Sequence, residues 1–137
     1  MTVTFFGHRD APQALRLSLK KIICDLIEKE GADLFYVGNH GNFDALARGI
    51  LEELRSVYHT FRYVVVLAYL PTKEERFEYD TVYPETVAAA PPRFAIERRN
   101  RYMIAKSNAV ITYIRYKGGA AKWGAVAKRK GLRIFEL

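Results

Sequence analysis

The sequence predicts an α/β fold: a three-layer sandwich with helices on both faces of a mainly parallel five-stranded sheet. Two observations carry this expectation. Strand-like and helix-like apolar patterns alternate along the whole 137-residue chain, as repeated β-α units require. The strongest strand segment, residues 63–70, holds Val64, Val65, Val66 and Leu67 without a polar break. Such a run belongs to a strand buried on both faces, the situation inside a parallel sheet.

Each element follows from its own pattern. Residues 3–6 form a short apolar strand stopped by Gly7. Between residues 12 and 30, Leu15, Leu19, Ile22, Ile23, Leu26 and Ile27 recur at three- and four-residue spacing, one face of a helix ending at Gly31. Residues 34–37 are the second strand, followed by the turn Gly38-Asn39-His40-Gly41-Asn42 and a helix over 43–57 that packs Leu46, Ile50, Leu51 and Leu54. After the third strand the rhythm breaks. Residues 71–92 hold four of the five prolines and the charged cluster Glu74, Glu75, Arg76, Glu78 and Asp80, and read as a long loop with one short helical turn. Loops of that length in compact folds are often functional. A helix over 93–106, a strand over 109–114, a helix over 120–130 capped by Gly131, and a strand over 133–137 complete the chain. Right-handed crossovers leave few ways to connect these, and a Rossmann-like sandwich leads them.

Composition narrows the setting. The length suits one domain over residues 1–137. A single cysteine, Cys24, excludes an intrachain disulfide framework and fits a reducing, cytoplasmic compartment. No segment approaches a membrane span, and the N-terminus lacks the pattern of a signal peptide. The net charge of +7 is unevenly placed: residues 1–92 carry 10 basic and 13 acidic side chains, whereas residues 93–137 carry 12 basic ones against only Glu97 and Glu136. A basic C-terminal third attracts phosphates, on a nucleotide or on a nucleic acid, unless it is simply a solvated surface.

In open parallel sheets the ligand lies beyond the carboxyl ends of the strands. That rule selects four loops: Gly7-His8-Arg9-Asp10, 38–44, 71–92, and Arg115-Tyr116-Lys117-Gly118-Gly119. Three bring glycine to a strand-to-helix junction, where backbone amides approach an anion and a helix N-terminus adds partial positive charge. None matches the spaced dinucleotide fingerprint or the phosphate-loop motif, and each glycine taken alone equally serves a tight turn. No histidine is paired with cysteine or carboxylate at metal-ligand spacing. Neither a metal nor a cofactor is expected.

Four motifs, in order, resemble the SLOG superfamily of Rossmannoid proteins, which includes DprA-like and Lonely-Guy-like members. Thr4-Phe5-Phe6-Gly7-His8-Arg9 resembles its opening strand and loop, and 38–47 its second glycine turn, which ends in Asp44 on the following helix. Arg99-Asn100-Arg101-Tyr102-Met103 with Ser107-Asn108 is similar to the segment before the fourth strand in YpsA-like members. Tyr113 with Gly118-Gly119-Ala120-Ala121-Lys122 is similar to their closing motif. The resemblance implies a nucleotide-derived ligand, such as an ADP-ribose-like molecule, over the glycine loops, and self-association into a homo-oligomer. It also shows a departure. Lonely-Guy enzymes, which cleave N-glycosidic bonds of nucleoside monophosphates, follow the last Gly-Gly with Gly-Thr and a catalytic Glu. Here Ala120, Ala121, Lys122, Trp123 and Gly124 follow, with no carboxylate between Glu97 and Glu136. The usual means of stabilising an oxocarbenium-like centre is therefore missing from this loop.

The expected ligand-binding residues are Gly7, His8, Arg9, Gly38, Asn39, Asp44, Arg99, Asn100, Gly118, Gly119 and Lys122. Arg9 pairs with a phosphate in this reading, or with Asp10 in the ordinary one; His8 donates to a ribose or phosphate oxygen. His40 reads as a solvated turn residue. Asp44 either bonds a ribose hydroxyl or serves the helix N-terminus, where Asn42 is the other N-cap candidate. Arg98 reads as exposed, Trp123 as core, and Lys128-Arg129-Lys130 as the complement of a helix dipole. Phe77, Tyr79 and Tyr83 in the long loop suit a lid, a base stack or a partner surface. The leading expectation is a nucleotide-ligand sensor or regulatory module without a membrane partner. Its competitors are a hydrolase of nucleotide or N-glycosidic bonds using Asp44 or Glu97, and, behind it, a DprA-like binder of single-stranded nucleic acid.

Overall fold

The computed structural model describes residues 1–72, 75 and 77–137; Glu74 and Arg76 of the charged cluster lie outside the described residues. The strands are β1 (Thr2–Gly7), β2 (Leu34–Val37), β3 (Arg62–Val66), β4 (Thr81–Val82), β5 (Ala109–Tyr113) and β6 (Arg133–Glu136). The helices are α1 (Arg16–Glu30), α2 (Gly41–Leu54), α3 (Glu85–Ala88), α4 (Ala95–Lys106) and α5 (Gly119–Arg129), with short 3-10 turns at Gln13–Leu15 and Pro92–Phe94. All the strands join one parallel sheet in the order β4-β3-β2-β1-β5-β6. The Rossmann-like α/β sandwich expected from the apolar pattern is the fold observed.

Consecutive strand residues build two cores, because side chains on a strand alternate between its faces. Phe5, Val65 and Ile111 turn toward α1 and α2, where they meet Leu19, Ile23, Phe43, Ile50 and Leu51. Their neighbours Phe6, Val66 and Val110 turn the other way, toward Met103 and Ile104 of α4 and Trp123 and Val126 of α5. Helices α1 and α2 therefore cover one face and α4 and α5 the other, and Trp123 is core, stacked on Phe6 at 6.5 Å. No described helix is long and apolar enough to cross a membrane.

The differences from expectation gather around residues 67–94. A sixth strand, Thr81–Val82, occupies the edge beyond β3 inside the segment read as a loop. Two residues carry no periodicity, so only the pairing reveals it. The helical turn expected there is α3. Strand β3 is shorter than the apolar run: its last ladder bond runs from the Leu67 N–H to the Val82 carbonyl at 2.8 Å. With no partner strand beyond that bond, Tyr69 and Leu70 turn out to solvent.

Helix α2 lies close against the end of β1. A methyl group added at Gly7 would fall 2.2 Å from the buried Phe43 ring, which also packs on Phe5 and Tyr113. Gly7→Ala is therefore expected to lower the unfolding free energy by about 1–3 kcal/mol, the usual cost of overpacking. Urea unfolding of the variant should show it, and Gly7→Ala with Phe43→Leu should recover part of the loss. An unchanged midpoint would mean that α2 yields without strain.

Candidate functional site

The chain runs from β1 through β2 and β3 to one side of the sheet, then returns to β5 on the other side of β1. Loops leaving the carboxyl ends of β1 and β5 consequently diverge, and the space between them is where such sheets hold ligands. A cleft of about 290 Å³ opens there. Its walls come from three of the predicted loops, from α4 and from the start of α5.

The last loop is tied to the first through His8. The imidazole Nε2 accepts the Arg115 N–H at 2.7 Å and the Tyr116 N–H at 3.3 Å. Both donors are amides, so Nε2 is unprotonated and the ring proton sits on Nδ1. The Tyr116 ring lies flat on the imidazole, 3.7 Å away and 6° from parallel, and its hydroxyl donates to Asp10 at 2.5 Å. His8 thus spends one nitrogen on holding the glycine loop, leaving only Nδ1–H to donate. Asp10 is engaged by Tyr116, while Arg9 forms no ion pair among the described residues.

Beyond that loop, α5 begins at Gly119 with no side-chain cap and no acid in its first turn. Its free amides carry about half a positive charge. Gly118, Gly119 and Ala120 line the cleft, so this positive end faces it.

The opposite wall is a buried charge cluster. The Arg99 Nε donates to Asn100 Oδ1 at 2.8 Å, which fixes the plane of the guanidinium, and Nη1 lies 3.4 Å from His40 Nδ1. A guanidinium has no acceptor, so His40 accepts through Nδ1 and carries its proton on Nε2. Asp44 Oδ2 accepts the His40 N–H at 3.1 Å. Helix α2 begins two residues earlier than its apolar pattern suggests, with His40 at the N-cap position. Asn42 and Asp44 are therefore not the capping residue itself. Asp44 reaches back to the N-cap amide from within the first turn.

Asp44 and Arg99 approach each other over Gly38 without closing to an ion pair. A side chain at Gly38 would place its first carbon 2.5 Å from Asp44 Oδ2 and 2.6 Å from Arg99 Nη1. Glycine is what lets both groups occupy that space. Arg48 steadies the floor, donating from Nη1 to the Gly38 carbonyl at 2.9 Å. Burial pushes the Asp44 carboxyl above its ordinary pKa, against the pull of Arg99, the His40 amide, Arg48 and Arg9. Burial lowers the His40 pKa, and repulsion from Arg99, Arg9 and Arg48 lowers it further. Desolvation also works against the Arg99 charge, with Asp44 as the main offset. Three guanidinium groups therefore surround one carboxyl.

No protein-family model and no curated protein matches this chain. The chemistry of the cleft consequently rests on its own residues.

Of the residues expected from sequence, Gly7, His8, Arg9, Asp44, Arg99, Asn100, Gly118 and Gly119 line the cleft. Three do not. Gly38 lies beneath the cluster, Lys122 is exposed with its Nζ 5.1 Å from the centre of the Trp123 ring, and Asn39 is set back from the wall. The Asn39 Oδ1 is buried and has no hydrogen-bond partner among the described residues. Glu97, the other carboxylate candidate, pairs with Arg101 at 3.2 Å one turn along α4 and is not part of the lining. His40 is no solvated turn residue; it closes the cluster against Tyr69, 6.0 Å away. Tyr116 was not singled out, and no apolar period marks it. Among the described residues no group of three or more potential metal ligands is present.

Asp44 gives a pH signature. Between the ordinary aspartate range and its raised folded-state pKa, the native protein holds a proton that the unfolded chain has released. Stability therefore falls as pH rises through that window. The stability of Asp44→Asn relative to the parent is expected to increase through the same window and then level off. Urea unfolding of both proteins from about pH 4 to 8 measures it; a difference that fell with rising pH would show that the arginines dominate.

Proposed function

We propose that the cleft binds a nucleotide or a nucleotide-derived ligand of the ADP-ribose kind, and that the protein is a sensor or regulatory module similar to SLOG members. One observation supports this most directly: Arg9, Arg99 and an uncapped helix N-terminus converge on a cleft whose lining, among the described residues, holds a single carboxyl, Asp44, with Arg48 close behind it. A phosphate group offsets the excess positive charge, with Arg99 and Arg9 as charged donors and the α5 amides completing its shell. Asp44 is placed to accept from ribose hydroxyls, and Tyr116 offers a flat ring at the mouth for a base.

A second reading, cleavage of a glycosidic or nucleotide bond, draws on the raised pKa of Asp44. A carboxyl that keeps its proton closer to neutrality is suited to general-acid work. With Glu97 engaged by Arg101, Asp44 is the residue on which that reading depends.

Thermal unfolding against AMP, ADP, ADP-ribose, NAD, cyclic nucleotides and a short single-stranded oligonucleotide distinguishes these. A ligand at about 100 times its Kd stabilises by about 2.7 kcal/mol, a shift of several degrees for a chain of this size. Arg99→Ala and Gly38→Ala are each expected to weaken binding by about tenfold or more, the former by removing a charge-assisted bond. Binding should also raise the His40 pKa, because an anion relieves the arginine repulsion; the His40 Cε1 proton resonance reports this. Turnover of the bound ligand, lost in Asp44→Asn, would favour the enzyme. A shift with the oligonucleotide alone, falling steeply with salt, would replace the sensor reading by a nucleic-acid binder.

A further inference from the structure

Residues 115–119, which carry the glycine turn into α5, are all exposed. A methyl group added at Gly118 or Gly119 would meet nothing within 4 Å, so packing does not fix the turn. Its place rests on tethers at its start. The Arg115 guanidinium donates to the Leu137 carbonyl at 2.8 Å, and the Tyr116 hydroxyl donates to Asp10. Both of these run from the ends of long, exposed side chains. The backbone itself is caught at a buried atom, His8 Nε2, to which the Arg115 and Tyr116 amides both donate.

We propose that His8 is a positioning residue that clasps the start of α5: the neutral imidazole holds the helix N-terminus in place for an anion, and the imidazolium releases it. The consequence for affinity rests on the reading of the cleft as an anion site; the clasp itself does not. Hydrogen-bond direction is decisive. Nε2 has one lone pair and both partners are donors, so a proton there sets N–H against N–H and neither bond survives. Stacking on the Tyr116 ring resists separation of the two rings but not sliding, so it does not replace the amide contacts. Histidine is the side chain that changes charge between about pH 5 and 8. Facing the ring are Tyr116 on its flat side, Tyr113 edge-on at 5.7 Å, and Asp10 through the Tyr116 hydroxyl. Arg9 adjoins it, and His40, Asp44 and Arg99 share its cleft. A bound anion also attracts an imidazolium, which works against release. That attraction is shared with Arg9 and Arg99, whereas both amides point at Nε2, so loss of the clasp prevails.

NMR of the full chain without ligand, from about pH 8 to 5, tests the clasp and needs no variant. The Arg115, Tyr116, Gly118 and Gly119 amide resonances are expected to move with those of the His8 ring. The Arg115 amide should also lose protection from hydrogen exchange as the pH falls. A ring that stays neutral throughout, or amides that stay fixed while it titrates, would each overturn the proposal. Affinity for ADP-ribose, whose diphosphate stays ionised over this range, is the second readout. The Gln carboxamide oxygen of His8→Gln accepts an amide but takes up no proton, and His40 and Asp44 titrate in both chains. The parent's affinity is expected to fall relative to His8→Gln as the pH drops, by up to about tenfold per pH unit, the limit for one linked proton. His8→Leu, which has no acceptor, should bind about tenfold or more weakly at every pH. A parent-to-Gln ratio that is flat, or that rises as the pH drops, would sink the proposal. Amides that follow His8 in a protein that binds no ADP-ribose at any pH would remove the ligand reading and support the clasp alone.

Discussion

Strand β1 is the constraint on which the rest of the molecule depends. It is bonded on one side to β2 and on the other to β5, with Val3, Thr4 and Phe5 paired across to Ala109, Val110 and Ile111. Every ladder is parallel, so every connection must cross over a face, and right-handed crossovers place helices by direction of travel. Moving from β1 toward β3 lays α1 and α2 on one face. Returning to β5 lays α4 and α5 on the other. The cleft is the geometric remainder of that reversal, since two chain segments leaving neighbouring strands in opposite directions leave a gap between them. The residues at the gap are those closing β1 and β5, which is why the loops after these strands carry so much of the site.

The contents of the gap are set by electrostatics rather than by shape. Burying Arg99 and Asp44 costs solvation for both, and neither recovers it through direct contact. Their partners are instead Asn100, His40 and a network of distant charges. Three arginines with one carboxyl leave the cluster short of negative charge, and an anion is the species that balances it. The cations also show in the pKa directions: burial drives both groups toward neutrality, and the arginines reinforce it for His40 but oppose it for Asp44. Perturbed titrating groups gathered in a cleft are what mark it as the candidate functional site.

Much of this was legible in the sequence, for reasons tied to particular residues. The unbroken Val64–Val65–Val66 run announced a strand between two covered faces, and Val65 and Val66 indeed turn into opposite cores. Glycine at strand ends located three walls of the cleft, because junction glycines mark close backbone approach whether or not a ligand is involved. What sequence concealed depends on contacts between distant positions. The two residues of β4 have no period. His40 looks like any polar turn residue until Arg99, from a helix 59 positions away, comes within 3.4 Å of its ring. Lys122 follows the last glycine pair, yet it stays exposed with its Nζ over the Trp123 ring and outside the cleft lining. Glu97 is the local exception: Arg101 lies four residues on along the same helix, and the i,i+4 ion pair accounts for that carboxylate outside the cleft.

Helix α4 carries both halves of the molecule's chemistry. Its buried stripe, Ala95, Arg99, Asn100, Met103 and Ile104, sets a polar pair between apolar residues, with Arg99, Asn100 and Met103 lining the cleft. Tyr102, rotated from that stripe, meets Tyr36 of β2 edge to face at 5.9 Å. Arg99 and Tyr102 stand three residues apart in the middle of α4, so neither shifts far unless the helix moves as a unit. Met103 and Ile104, packed in the second core, resist such a movement. The guanidinium has a second tether in Asn100 on its own helix, so a ligand drawing on Arg99 pulls on α4 itself and not on one flexible side chain. The cleft's buried guanidinium is therefore fixed to the same helix that packs Met103 and Ile104 against Phe6 of β1 and Val110 of β5.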